Sequence, residues 1–94
     1  MQSPQISVII PVFNGAKELP RAIDSALAQR DCEPEVIVVN DGSTDDTKAV
    51  IDSYGDRVRA IHQSNAGLAA TRNSGINAAT GAWVAFLDHD DFWQ

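Results

Sequence analysis

A single cysteine, Cys32, denies this 94-residue chain an internal disulfide and suits a reducing compartment. Basic residues are few: seven Lys and Arg stand against thirteen Asp and Glu, for a net charge of −6. No basic stripe is present to release counterions from a phosphate backbone, so no nucleic-acid partner is expected. Long apolar runs are missing too. Met1 to Gln5 include no basic residue, and the apolar run behind them breaks at Pro11. It is too short for the core of a secretory leader or for a membrane span. The expected location is cytoplasmic, at most peripheral at a membrane. Phe13-Asn14-Gly15-Ala16-Lys17 does not supply a G-x-G-x-x-G fingerprint, which speaks against a dinucleotide-binding oxidoreductase. Neither a low-complexity tract nor a linker divides the sequence, so it reads as one small domain or part of one.

What is present alternates. Ile6-Ser7-Val8-Ile9-Ile10 is a β-branched apolar run closed by Pro11, as in a strand buried on both faces. A helix is predicted from Glu18, with Leu19, Ala22, Ile23, Ala26 and Leu27 on one stripe. Val36 to Val39 form a second buried strand, ended by Asn40-Asp41-Gly42. Ser43, with Asp46 three residues on, resembles a capping box for a helix whose apolar face holds Val50, Ile51 and Tyr54. Val58 to Ile61 make a shorter strand, and Arg57 and Arg59 place it near an edge. Asn65 is expected to cap a third helix, with Leu68, Ala69, Arg72, Ile76 and Ala79 along one side. Gly75 inside that helix costs about 1 kcal/mol against alanine, which points to close packing on the sheet. Thr80-Gly81 suits a left-handed C-terminal cap, and Trp83 to Leu87 form a buried fourth strand.

The order βαβαβαβ predicts an α/β fold: a mostly parallel sheet with right-handed crossovers and helices on both faces. Ligands of such sheets bind outside the carboxyl ends of the strands. Three polar clusters fall on that rim: Pro11 to Gly15, Asn40 to Ser43, and Asp88 to Asp91. The last is the most telling. Two carboxylates about 7 Å apart repel by roughly 2 kcal/mol at an effective dielectric near 20. Such crowding is kept where a cation binds or protons are handled. In an extended segment Asp88 and Asp90 share a face, with His89 and Asp91 opposite.

Together these stretches resemble the family 2 glycosyltransferases of the GT-A fold. The matching segments are Ser7 to Asn14, Val38 to Asp45, Asn65-Ala66-Gly67 with Thr71 to Gly75, and Phe86 to Asp91, in the expected order over about Ile6 to Trp93. The resemblance implies that residues 1–94 are the N-terminal nucleotide-sugar-binding half of a Rossmann-like GT-A domain. It implies transfer of a sugar from a nucleoside diphosphate, with UDP-sugar as the expected donor, to a hydroxyl of a carbohydrate or lipid-linked acceptor. Inversion at the anomeric carbon and a place in polysaccharide biosynthesis are part of that expectation. Pro11, Val12 and Asn14 match a loop that lies against the nucleotide. Asp41 matches an aspartate that accepts hydrogen bonds from the base; a carboxylate, an acceptor only, suits a uracil imide N–H. Many members carry aspartate where this chain has Asn40. Arg72 matches an arginine near the donor. Asp88 is expected to meet ribose or metal and Asp90 to bind Mg²⁺ or Mn²⁺ directly, with phosphates and water completing the shell. The general base is expected beyond Gln94. No residue here is therefore assigned a catalytic role, and the 94 residues alone are expected to bind donor and catalyse little.

Each cluster has a plainer reading. Asn14-Gly15 satisfies an ordinary turn, Asp41-Gly42-Ser43 could cap a helix, Arg72 could simply lay its stem on apolar neighbours, and Asp88 to Asp91 could be a solvated acidic turn capping a following helix. Their coincidence on one rim favours a site. For the whole chain two alternatives stand: a catalytically inactive glycosyltransferase-like nucleotide-binding module, and a sugar-nucleotidyltransferase, whose glycine-rich loop is missing. His62 and His89 lack partners at metal-ligand spacing and are assigned structural or solvent-facing places. Cys32 has no catalytic context, and Trp83 and Trp93 are read as packing groups. The resemblance places strand four beside strand one. As an apolar edge without lysine or proline, strand four is expected to drive self-association, with Trp83, Phe92 and Trp93 buried against a second copy.

Overall fold

The β-branched runs pair side by side and parallel. In the computed structural model, which describes residues 5–29 and 33–93, the strands are β1 (Ile6–Val12), β2 (Glu35–Asp41), β3 (Arg59–Gln63) and β4 (Trp83–Phe86). They form one parallel sheet in the order β3-β2-β1-β4. Helices α1 (Leu19–Leu27), α2 (Thr47–Asp52) and α3 (Leu68–Ala78) connect them, with a single 3-10 turn at Gly55–Arg57 before β3. Cys32 lies outside the described residues. Side chains of β1 and β2 alternate between two cores, as the period of two requires. Val8, Ile10, Val12, Val36 and Val38 pack with Leu19, Ala22, Ile23 and Ala26 of α1 and Ile51 of α2. Ile9, Ile37 and Val39 face the other way, with Ala78 of α3 packed against them. The Tyr54 hydroxyl donates to Asp24 Oδ1 at 2.8 Å, tying the end of α2 to α1. Burial and the Asp24 carboxylate push its pKa up to about 12.

Several local expectations give way to longer-range ones. Strand β1 does not stop at Pro11, which lies opposite Val39. Leu87 N–H donates to Ile9 O, so Ile9 and, two residues on, Pro11 turn their backbone groups toward the β4 side. Strand β4 has ended there, at Phe86, and the missing proline N–H breaks no ladder bond. Helix α3 buries Thr71 and Gly75, whereas Leu68 and Ile76 of the expected stripe are exposed. A Cβ on Gly75 would lie 2.4 Å from Ile9 Cγ2, so the helix settles on the sheet through its smallest residues. Its N-cap is Gly67 rather than Asn65, and that of α2 is Asp46 rather than Ser43. The α3 C-cap, Ala79, is extended, so Thr80-Gly81 is not a left-handed cap. Gly81 is required for space instead: a Cβ would lie 2.8 Å from Ser7 N.

Strand β4 is an edge beside β1 and is not buried: Trp83 is 71% exposed, and Val84 and Phe86 are exposed as well. After it the chain turns back over α1. Trp93 N–H donates to Ser25 Oγ at 3.0 Å and its side chain packs on the main core. The Arg21 guanidinium lies 4.2 Å from the centre of the Phe92 ring. Phe92 and Trp93 thus make contacts within the chain, and Phe92 stays exposed.

At the opposite end of the sheet Glu35 gathers a polar knot. Its Oε1 accepts the Ser7 hydroxyl at 2.8 Å, the Thr80 N–H at 3.0 Å and the Thr80 hydroxyl at 3.1 Å, while Arg59 Nη1 lies 3.6 Å from Oε2. Burial alone would raise the Glu35 carboxyl, but the Thr80 and Ser7 bonds and Arg59 outweigh it and hold the group below its usual 4.5. Its stabilising contribution is therefore complete above the unfolded value and fades as pH falls through the depressed folded one. Glu35→Gln keeps an acceptor but cannot titrate. It is expected to lose about 1 kcal/mol at neutral pH and to show a shallower fall in stability on acidification below about pH 4.5 in urea titrations. An acid slope equal to that of the unsubstituted chain would contradict the assignment.

Candidate functional site

The carboxyl ends of β1 and β2, the start of α3 and the turn after β4 enclose a cleft of about 160 Å³. Pro11, Val12, Phe13, Asp41, Leu68, Thr71 and His89 line it. Of the residues singled out in the sequence, Pro11, Val12 and Asp41 thus meet in one place. Phe13, inside the matched segment Pro11 to Asn14, joins them, and so do Thr71, from another matched segment, and Leu68, neither of which had been given a site role.

Asp41 is buried on the wall of the cleft. Its Oδ1 accepts the Ala66 N–H at 2.8 Å and Gln63 Nε2 at 3.0 Å. Its Oδ2 accepts the Gly67 N–H at 3.0 Å and, weakly, Asn65 Nδ2 at 3.4 Å. Asn65, expected as a cap, instead reaches back to the Asp41 carbonyl at 3.1 Å. Gly67 has φ +96°, so this entry to α3 needs glycine. Burial would raise the Asp41 carboxyl, yet Gln63, the two backbone N–H groups and Thr71 outweigh it and hold the group below its usual 3.8.

Asn14 stands apart from the cleft lining. It has φ +52°, and its Oδ1 accepts the Thr44 N–H at 2.7 Å and the Asp45 N–H at 3.3 Å. Its own N–H donates to Ser43 Oγ at 2.9 Å, which is the use the structure makes of that serine. Asp45 returns the connection: Oδ2 accepts the Ala16 N–H at 3.2 Å, and Oδ1 accepts both the Thr47 N–H at 2.9 Å and the Thr47 hydroxyl. The loops after β1 and β2 are stitched into one wall. Asn40 sits behind it, accepting the Ser43 N–H and meeting His62 Nδ1 at 3.1 Å.

The acidic segment is a turn, closed by Asp91 N–H to Asp88 O at 3.0 Å. The extended geometry that would put Asp88 and Asp90 on one face is therefore not adopted. Asp88, Asp90 and Asp91 are exposed, and Asp91 Oδ1 accepts the Phe92 N–H at 2.9 Å. His89, assigned a structural or solvent-facing place, is half-buried and turns into the cleft above Gly15. Arg72 Nη2 lies 4.0 Å from Asp88 Oδ1, and its guanidinium stands 5.5 Å from the Phe86 ring centre. The Arg72 Nε is buried without an acceptor.

Among the described residues, no three His, Cys, Asp or Glu side chains are grouped to hold an ion. The donor set at the turn still fits one kind of cation site. Asp88 and Asp90 would offer hard, exposed oxygens, and a Mg²⁺-like ion bound through one or two carboxylates takes its other ligands from phosphates and water. Among the described residues, no helix is long and apolar enough to cross a membrane.

A cleft at the carboxyl ends of parallel strands is the arrangement of an open α/β ligand-binding domain. The chain belongs to glycosyl transferase family 2, whose family model matches residues 7–94. An uncharacterised glycosyltransferase of Rickettsia prowazekii is 46% identical over 91 residues, which are 97% of this chain and 29% of that protein. The crystal structure of residues 1–349 of S. aureus TarS with UDP-GlcNAc matches with a TM-score of 0.81 at 34% identity, over 94% of this chain and 27% of that one. The mannosyltransferase PcManGT of Pyrobaculum calidifontis, in complex with GDP-Man and Mn²⁺, matches with a TM-score of 0.80 at 26% identity, over 98% and 29%. The fold is thus the Rossmann-like sheet of GT-A glycosyltransferases. The chain spans less than a third of the length of the curated relatives it matches.

Gly15, at the end of the rim cluster Pro11 to Gly15, lies under the His89 ring. Its place in an Asn-Gly pair suggested a turn, but the requirement is distance. A Cβ there would lie 2.3 Å from His89 Cδ2 and 2.9 Å from Val12 Cγ2. Gly15→Ala is expected to cost about 1–3 kcal/mol by overpacking and to drive the His89 ring out of the cleft. Unmoved His89 ring resonances in the variant would show that the two residues are not in contact.

Proposed function

We propose that residues 1–94 are the nucleotide-sugar-binding half of a glycosyltransferase that moves a sugar from a nucleoside diphosphate to an acceptor hydroxyl. The observation that carries this reading is the carboxyl-end cleft. It has Asp41 in its wall and His89 of the acidic turn in its lining, in a chain of this family. UDP is the nucleotide favoured, on the likeness to TarS solved with UDP-GlcNAc. In the reaction the acceptor oxygen bonds to the anomeric carbon as the bond from that carbon to the diphosphate breaks. The configuration inverts, and the hydroxyl proton passes to a general base outside residues 1–94. The acceptor class is a carbohydrate or a lipid-linked saccharide, as in polysaccharide biosynthesis.

Pro11 and Val12 form an apolar floor for the base. Asp41 Oδ2 takes one short bond, from Gly67, and only the 3.4 Å contact from Asn65, so this oxygen has capacity for an imide N–H. Asn14 supports the floor from behind, by fixing the loop after β2. The unpaired Arg72 Nε is a donor that an anionic ligand group would satisfy. Asp90, with Asp88, would hold Mg²⁺ or Mn²⁺, which when bound offsets the diphosphate charge and stabilises it as a leaving group. Mn²⁺ accompanies GDP-Man in PcManGT. The exposed β4 edge, with Trp83, is where copies of this 94-residue piece would associate.

Isothermal titration with UDP tests the reading. Weak binding is expected with Mn²⁺ or Mg²⁺ present and is expected to vanish in EDTA. Asp90→Asn is expected to abolish the metal dependence, and Asp91→Asn to leave it nearly intact. Binding of equal strength with and without metal would refute the roles given to Asp88 and Asp90.

A further inference from the structure

Behind the cleft, side chains from three elements form a line. The Ser74 hydroxyl on α3 donates to Gln63 Oε1 at 2.7 Å, and Gln63 Nε2, at the end of β3, donates to Asp41 Oδ1 at 3.0 Å. The order of atoms is forced by chemistry. A carboxylate only accepts, so Gln63 must turn its amide nitrogen toward Asp41. Its carbonyl oxygen then faces α3 and needs a donor, which Ser74 supplies. The Ser74 hydroxyl also lies 3.1 Å from Ala70 O, but it has one hydrogen and the shorter contact is to Gln63. The second Gln63 N–H lies toward Thr71 Oγ1 at 3.4 Å, and the Thr71 hydroxyl donates its own hydrogen to Gly67 O at 2.7 Å. Every polar atom of the Gln63 side chain is accounted for.

The torsion that turns a carboxylate about its last bond is soft, so its setting is decided by the donors around it: the Ala66 and Gly67 N–H groups, one on each oxygen, and Gln63 Nε2, which shares Oδ1 with Ala66. We infer that Gln63, locked by Ser74, is a positioning residue that sets the rotation of the Asp41 carboxylate. Through Asp41 it sets the place of Ala66 and Gly67 at the entrance to α3, where Leu68 and Thr71 wall the cleft. Gln63 and Ser74 act on the ligand only through Asp41; this rests on the reading that the cleft binds a nucleotide. The Ser74–Gln63 bond also joins α3 to β3, but α3 is held on the sheet independently by Gly75 against Ile9 and by Arg59 Nη1, which donates to Ala78 O at 2.6 Å.

The test uses the 94-residue chain and three variants: Gln63→Glu, Ser74→Ala and Ser74→Thr. Amide resonances of Ala66 and Gly67 are followed by NMR, UDP affinity is titrated in Mn²⁺, and thermal melting reports folding. Gln63→Glu sets an acceptor against Asp41 Oδ1. It is expected to shift both amide signals and to weaken UDP binding about fivefold or more. Ser74→Ala is expected to move the same signals in the same direction by less, and Ser74→Thr, which keeps the hydroxyl, to restore them. Should Gln63→Glu fail to fold, the Ser74 pair decides. Ala66 and Gly67 signals unmoved by Ser74→Ala, or not restored by Ser74→Thr, would overturn the inference. So would UDP affinity within twofold in every variant. If the unsubstituted chain binds no UDP, the nucleotide reading falls, while the amide signals still judge the positioning of Asp41.

Discussion

A loop that leaves a parallel sheet at its carboxyl end carries backbone N–H groups with no strand to pair with, and these must find acceptors. In this chain the acceptors are side chains of neighbouring loops. Asp41 takes the N–H groups of Ala66 and Gly67, Asn14 those of Thr44 and Asp45, Asp45 that of Ala16, and Thr47 Oγ1 that of Gly15 at 3.2 Å. The cleft is the space left between loops held in this way. Asp41 is the joint with the most donors, and it ties the end of β2 to the start of α3. Without it the entrance to α3, including the strained-for-others Gly67, has no fixed position.

The same arrangement carries an electrostatic consequence. The chain has a net charge of −6, and its acidic turn sits at the rim of the cleft. A diphosphate brought there meets like charge unless it is offset. Arg72, already 4.0 Å from Asp88, offers one positive group. A divalent cation shared between the turn and the ligand would offer the larger share, which is why the proposed donor site and the proposed metal site belong together.

The strands and helix α1 were legible because they depend on continuous β-branched runs and on an apolar stripe, both local properties, whereas the place of β4 beside β1 came from the family resemblance. The face of α3 was legible only at Gly75, whose cost in a helix pointed to close packing. Periodicity weighs apolarity and selected Leu68 and Ile76, whereas the helix buries Thr71 and sets Gly75 against Ile9. The caps assigned to Ser43 and Asn65 failed for another reason: both side chains bond across to residues distant in sequence, Asn14 and Asp41, which a four-residue pattern cannot detect. Pro11, Val12 and Asp41 were placed on one rim through the family's motifs, and they line the cleft. The contacts of Gly15, Gln63 and Ser74 were not legible, since each is made with a partner supplied by a different element. The acidic run lies beside the cleft, on the rim where it was expected, but as a turn rather than extended, because composition does not report the Asp91 to Asp88 bond.

The central claim is that the Asp41 carboxylate is ionised and held by the chain's own donors. Residue-resolved titration of its side-chain ¹³C signal measures this directly, in the absence of ligand. A midpoint below the usual 3.8 is expected, with the Ala66 and Gly67 amide signals titrating in step. A midpoint at or above 3.8, with those amides indifferent to it, would mean that the carboxylate is not the joint of the cleft.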